Sequence, residues 1–181
     1  MKKKSHFNPK TISFSIFATA ALFVAVIIYL KRTQVPSHEA DFISKRSIKG
    51  QALIIDGDSI MISSVKIRLV GIDAPELQQS CGTKKAQYPC GLEAKKYLEQ
   101  LIGNQPVTCR WHKRDKYHRI LATCRTKKVS NINATLVRNG WAVSYYNYPE
   151  EEKEARKQKK GIWQSNFQKP RKWRKAHPRT E

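Results

Sequence analysis

Hydrophobic positions change their spacing several times along the chain, and each spacing predicts a different element. Residues 12–30 pass without a single charge. As a helix rising ~1.5 Å per residue, this run would extend roughly 28 Å, enough to cross the hydrocarbon core of a bilayer. Residues 33–49 are polar and contain Pro36, which reads as a linker. Beyond it the apolar runs become short. Residues 52–55, 59–62 and 65–72 are separated by Asp56-Gly57-Asp58 and by Ser63-Ser64, which predicts three strands in an antiparallel meander. Ala94, Tyr97, Leu98 and Leu101 recur at helical spacing and Gly103 follows them. Val107, Cys109 and Trp111 alternate, as do Ile120, Ala122 and Cys124, which predicts a hairpin. Residues 133–139 form a short helix ended by Gly140. An aromatic stretch at 141–148 precedes a helix with Pro149 at its start, Glu150, Glu151 and Glu152 in its first turn, and Gly161 after its end. The pattern is α+β, mainly β, and on its own it fits any small barrel.

Charge qualifies the apolar run at 12–30. Lys2, Lys3, Lys4 and Lys10 precede it and Lys31-Arg32 close it. A cleaved signal peptide has a shorter apolar core and ends in small residues. Here the run ends Ile27-Ile28-Tyr29-Leu30, so an uncleaved single-pass anchor is favoured. The heavier positive cluster lies on the N-terminal side, which places the domain on the extracytoplasmic side, periplasmic or cell-surface, and secreted if the segment is cleaved. The expected divisions are an anchor or signal segment over 1–34, a linker over 35–47, a domain over 48–166 and a basic tail over 167–181.

Over the whole chain 35 Lys and Arg face 14 Asp and Glu, a net charge of +21. An excess of this size costs self-repulsion and points to a polyanionic partner, nucleic acid before an anionic membrane surface. Four cysteines behind an export segment favour two disulfides. If the hairpin turns at Lys116-Tyr117, Cys109 lies opposite Cys124, within disulfide range. Cys81 and Cys90 share one loop. Three connectivities are open, and 81–90 with 109–124 is preferred. No C-x-x-C pair is present, which disfavours zinc.

The chemistry concentrates at 65–76, V-K-I-R-L-V-G-I-D-A-P-E. A strand rich in β-branched residues ends at a proline, and it carries Arg68, Asp73 and Glu76 on or just past it. An arginine can hold a phosphate through two parallel hydrogen bonds. A carboxylate can hold a hard cation, and a second can take a proton from water. These are the parts needed to cut a phosphodiester. By itself Asp58 is a turn residue, and the charges at 73 and 76 are charged strand ends.

Three motifs taken in order change that balance. D-G-D-S at 56–59, R-L-V-G-I-D-A-P-E at 68–76 and D-K-Y-H-R at 115–119 together resemble the staphylococcal nuclease family. The resemblance covers about 50–163. It implies a five-stranded OB-fold barrel with three helices. It implies a Ca²⁺ ion held by Asp58, Asp73 and the backbone carbonyl of Ala74, where the family usually has threonine. Glu76 would be the general base, and Arg68 and Arg119 the two catalytic arginines. Lys116 and Tyr117 match residues that grip a terminal phosphate, and Tyr146 and Tyr148 match aromatics beside the nucleotide. His118 stands where the family often has glycine.

The activity implied is calcium-dependent endonucleolytic cleavage of DNA and RNA, leaving 3′-phosphates, by a monomer tethered to the membrane. Some relatives keep the barrel and only bind, so a non-catalytic nucleic-acid-binding module and a membrane-tethered DNA-capture protein are the alternatives. The tail contains F-Q-K-P-R-K-W-R at 167–174. Exported members of the family often end similarly, so it either packs on the domain or serves as a flexible nucleic-acid-binding arm.

Overall fold

The structure is a computed structural model and describes residues 46–178. The expected anchor at 12–30 and nearly all of the linker lie outside the described residues. Among the described residues no helix is long and apolar enough to cross a membrane.

Among the described residues ten strands and four α-helices follow one another. They are β1 (Ser47–Gly50), β2 (Leu53–Ile54), β3 (Ser59–Ile62), β4 (Val65–Leu69), β5 (Ile72–Asp73), β6 (Cys81–Thr83), β7 (Ala86–Tyr88), α1 (Cys90–Ile102), β8 (Val107–Arg114), β9 (Ile120–Arg125), α2 (Ile132–Arg138), β10 (Val143–Ser144), α3 (Pro149–Lys157) and α4 (Pro170–Ala176). A 3₁₀ turn at Gly161–Gln164 precedes α4. Six strands form the main sheet in the order β1-β8-β9-β4-β3-β2, and β10-β5 and β6-β7 are two-stranded ladders. The sheet curls: a Cβ placed on Gly50, in the edge strand β1, would meet Ile62 of β3 at 2.8 Å. Ile60, Ile62, Ile67, Leu69, Leu98, Ile120 and Leu136 fill the concave side with at most 1 % exposure.

Several expectations are corrected. β1 begins at Ser47, the last residue assigned to the linker, and is a strand the pattern did not predict; it pairs antiparallel with β8. Its sequence, Ser-Ile-Lys-Gly, has one apolar side chain, and an edge strand needs no more. The run at 65–72 is two strands. The chain turns at Gly71, with φ +81°, so β4 pairs in parallel with β9 while β5 pairs with β10. Asn133 holds this break shut. Buried in α2, it accepts from the amide of Cys124 at 3.2 Å and donates to the carbonyls of Val70 and Ala122 at 2.9 and 3.0 Å. The 77–91 loop folds into the β6–β7 hairpin. The main sheet has six strands where five were expected. The fourth helix, α4, lies in the basic tail and folds against the domain, the first of the two readings given for that segment.

The hairpin register agrees with expectation: Cys109 faces Cys124 across β8 and β9. Both disulfides have the preferred pairing, Cys81–Cys90 and Cys109–Cys124. Cys109 and Cys124 are fully buried, so no thiol reagent should reach them before reduction. Their bridge closes a loop with a sequence separation of 15. Replacing both by alanine is expected to lower the unfolding free energy by about 3 kcal/mol, read from the urea midpoint, because the unfolded chain regains that loop's freedom.

Candidate active site

The site begins with the alternation of β4. Ile67 and Leu69 point into the core, so Arg68 points the other way and keeps 23 % of its side chain exposed. Antiparallel pairing sets Ser59 opposite Arg68, which brings Asp58, one residue earlier, beside the guanidinium. Asp58 is held by its own turn. Its amide donates to Asp56 Oδ1 at 3.0 Å, and its carbonyl accepts from the amide of Leu69 at 2.9 Å. The break at Gly71 then returns the chain so that Asp73 reaches the same guanidinium.

Arg68 Nη1 donates to Asp58 Oδ1 at 3.0 Å, and Nη2 donates to Asp73 Oδ1 at 2.9 Å and lies 3.0 Å from Asp58 Oδ2. The amide of Ala74 donates to Asp58 Oδ2 at 3.1 Å. Both aspartates are buried. Burial pushes the Asp58 carboxyl up to about 7, a rise that Arg68 only partly offsets and that Asp56 and Asp73 reinforce. Burial pulls the Arg68 guanidinium down, but Asp58 and Asp73 outweigh it, and the net direction is up.

Glu76 follows Pro75 on a loop built around Gln79. The Gln79 amide donates to the carbonyl of Glu76 at 2.7 Å, and Gln79 Oε1 accepts from the amide of Glu76 at 3.2 Å. Gln79 is fully buried, and its Nε2 donates to the carbonyl of Gln168 at 2.6 Å. The start of α1 presses on the same loop: a Cβ on Gly91 would fall 1.7 Å from the Glu76 carbonyl oxygen. Glycine is therefore required there for close approach.

A residue absent from the sequence expectations completes the cluster. Arg174 of α4 forks onto Asp73, Nη1 to Oδ1 at 2.9 Å and Nη2 to Oδ2 at 3.1 Å, and Nη1 also reaches Glu76 Oε1 at 2.8 Å. Partial burial pulls its guanidinium down, but bonds to Asp73 and Glu76 more than compensate, and the net direction is up.

Arg119 lies on a neighbouring strand end. Ile67 pairs with Ile120, both pointing inward, so Arg68 and Arg119 belong to the same outer face. Arg119 Nε and Nη2 each lie 2.8 Å from Asp115 Oδ2, so its present partner is a turn carboxylate and not the aspartate pair. Asp115 Oδ1 also accepts from the amides of Tyr117 and Arg119, at 2.9 and 3.0 Å. The ammonium of Lys116 lies 4.9 Å from the Tyr117 ring centroid, and that ring is 64 % exposed. His118 has φ +62°, a left-handed conformation that glycine adopts at less cost. The two tyrosines differ. Tyr146, with φ +70°, is 87 % exposed and meets Tyr145 edge-on at 4.5 Å. Tyr148 is half-buried, packs against the core and caps α3 with φ +64°. The amide of Tyr145 donates to the carbonyl of Gly71 at 2.9 Å, which ties this loop to the strand carrying Asp73.

Among the described residues no group of three or more His, Cys, Asp and Glu is placed to hold a metal by itself. Two buried carboxylates nevertheless suit a hard cation that also takes main-chain, water and phosphate oxygens. The raised Asp58 carboxyl supports that fit, since a buried anion that one arginine does not fully neutralise gains from a further positive charge. Asp58, Asp73 and the Ala74 carbonyl would be its protein ligands.

The whole arrangement has relatives. The family described as Staphylococcal nuclease homologue matches residues 66–165. The chain is 35 % identical over 144 residues to a micrococcal nuclease of Shigella flexneri, covering 68 % of this chain and 78 % of that one. It is 36 % identical over 120 residues to an uncharacterized endonuclease of Escherichia coli, covering 61 % and 72 % respectively. It is also 33 % identical over 125 residues to the succinoglycan biosynthesis protein ExoI of Rhizobium meliloti, covering 65 % of each chain. With the family match extending over more than half of its length, this chain belongs to the staphylococcal nuclease family.

Proposed function

We propose that the chain is a calcium-dependent endonuclease hydrolysing DNA and RNA without strong sequence preference. The observation that carries this reading is one guanidinium, Arg68, held against two buried aspartates a short loop away from Glu76. Relatives named as nucleases support the reaction class. The net charge of +21 supports sequence-independent affinity for a polyanion.

Bound at Asp58, Asp73 and the Ala74 carbonyl, Ca²⁺ would supply Lewis-acid charge toward a phosphate oxygen. Glu76 takes a proton from the attacking water, whose oxygen bonds to phosphorus as the P–O5′ bond breaks. The 5′ oxygen gains a proton from solvent, and a 3′-phosphate remains. Arg68 has five N–H donors, more than the two aspartates take up, and turns the remainder to the phosphate. Arg119 exchanges Asp115 for the phosphate from the neighbouring strand end and neutralises the charge developing there. Lys116 and Tyr117 receive a terminal phosphate, and the exposed Tyr146 ring stacks on a base. The half-buried Tyr148, packed against the core, holds this loop in place. The curled sheet supports an OB-type barrel for such an enzyme. The enzyme acts as a monomer on the extracytoplasmic side, tethered through residues 12–30, where two disulfides suit an oxidising compartment.

Plasmid cleavage by the purified chain, with Ca²⁺ and with a chelator, tests the reading. Cutting is expected only with calcium. Tight, salt-sensitive DNA binding without cutting in either condition would establish a binding module and make Ala74 the first departure to examine.

A further inference from the structure

Asp73 is saturated in an unusual way. Its Oδ1 accepts from Arg68 and from Arg174, both at 2.9 Å, and its Oδ2 accepts from Arg174 at 3.1 Å. The same Nη1 of Arg174 lies 2.8 Å from Glu76 Oε1. One guanidinium thus spans a carboxylate assigned to the metal and the carboxylate assigned to the attacking water. We infer that Arg174 is a built-in cation of this site, one that occupies Asp73 and Glu76 in place of the divalent ion and leaves Asp73 when that ion and the substrate phosphate arrive. The inference rests on the calcium-dependent nuclease reading above.

Occupancy of the carboxylate oxygens favours the departure. Arg174 holds Asp73 Oδ2 and shares Oδ1 with Arg68. A divalent ion ligated by Asp73 would lie against that guanidinium, and the two positive charges repel each other. Arg68 is the less able to leave, because it projects from the middle of a central strand and grips both aspartates. Arg174 is more exposed, 38 % against 23 %, and its helix buries only Pro170. Little packing resists the withdrawal of such an element. The base of the arm stays fixed, since Gln79 Nε2 donates to the Gln168 carbonyl and the amide of Gly82 donates to the Asn166 carbonyl at 2.7 Å. Movement is therefore confined to the segment beyond Lys169. A phosphodiester entering the site brings the anion that Arg174 then lacks, and a guanidinium suits it by its fork geometry. The C-terminal helix thereby couples metal entry to substrate entry.

Calorimetric titration of the full chain with Ca²⁺ alone, without nucleic acid, tests this. Arg174→Gln is expected to bind Ca²⁺ about tenfold more tightly than wild type, because the ion no longer displaces a charge-assisted fork from Asp73. A chain ending at Lys169 should show the same gain, which guards against a local effect of the glutamine. Equal or weaker affinity in both variants, with wild type binding Ca²⁺ and Asp73→Asn not binding it, would overturn the inference and leave the nuclease reading standing. If neither wild type nor Arg174→Gln takes up Ca²⁺, the calcium reading falls and the inference falls with it.

Discussion

Glu76→Gln is expected to reduce plasmid cleavage by about two to four orders of magnitude while DNA affinity stays within a few-fold. The amide keeps the shape of the side chain and can still accept a hydrogen bond from Arg174 through its oxygen. What it loses is the ability to take a proton from water. The loop that carries it should not move, because its position depends on main-chain groups: Gln79 grips the Glu76 amide and carbonyl, and Gly91 packs under that carbonyl. Filter binding and cleavage measured on the same preparation separate the two effects. Cleavage at the wild-type rate would remove Glu76 from the proton transfer and leave it a partner of Arg174 only. A joint fall in binding and cleavage would point to a disturbed loop, which the far-ultraviolet spectrum and the urea midpoint would show independently.

The parts of the site that lie close together in sequence were legible before the fold was seen. Asp58, Arg68, Asp73 and Glu76 span β3, β4, β5 and the loop after them, and the three ordered motifs singled them out where alternation could not, because the break at Gly71 resets the faces. The Cys109–Cys124 bridge was legible because a hairpin turn sets its register. Arg174 was not. It lies 98 residues from Glu76, in a tail with several lysines and arginines, and nothing local singles it out from Arg171 or Lys175. Only the tertiary path through Gln79 and Gln168 brings it to the carboxylates. Gln79 itself reads as one more polar loop residue, and its burial follows from the backbone groups it has to satisfy. β1 was missed because an edge strand with one isoleucine carries almost no periodic signal. Tyr148 matched a family position, but its backbone conformation and packing give it a share in the core that spacing cannot reveal.

Arg68→Ala is expected to lower cleavage by about three orders of magnitude and, unlike the change at Glu76, to destabilise the fold by about 3 kcal/mol in the absence of calcium. The two losses have one origin. Arg68 is a counter-ion of two aspartates that are 5 % and 3 % exposed, and removing it leaves their charges to each other. Asp73 retains Arg174, but among the described residues Asp58 keeps only the Ala74 amide and the Ser59 hydroxyl, at 3.1 Å each. Two neutral donors do not replace a guanidinium at a buried carboxylate. The double variant Arg68→Ala, Asp58→Asn should therefore recover part of the lost stability while remaining inactive, because it removes the unpaired charge and restores no phosphate contact. Urea midpoints of the two variants, measured with a chelator present, decide the matter. If Arg68→Ala unfolds at the wild-type midpoint, then Asp58 is already protonated in the folded, calcium-free chain and has no charge to strand. Arg68 would in that case serve the phosphate alone, and Asp58 would ionise only as the metal enters.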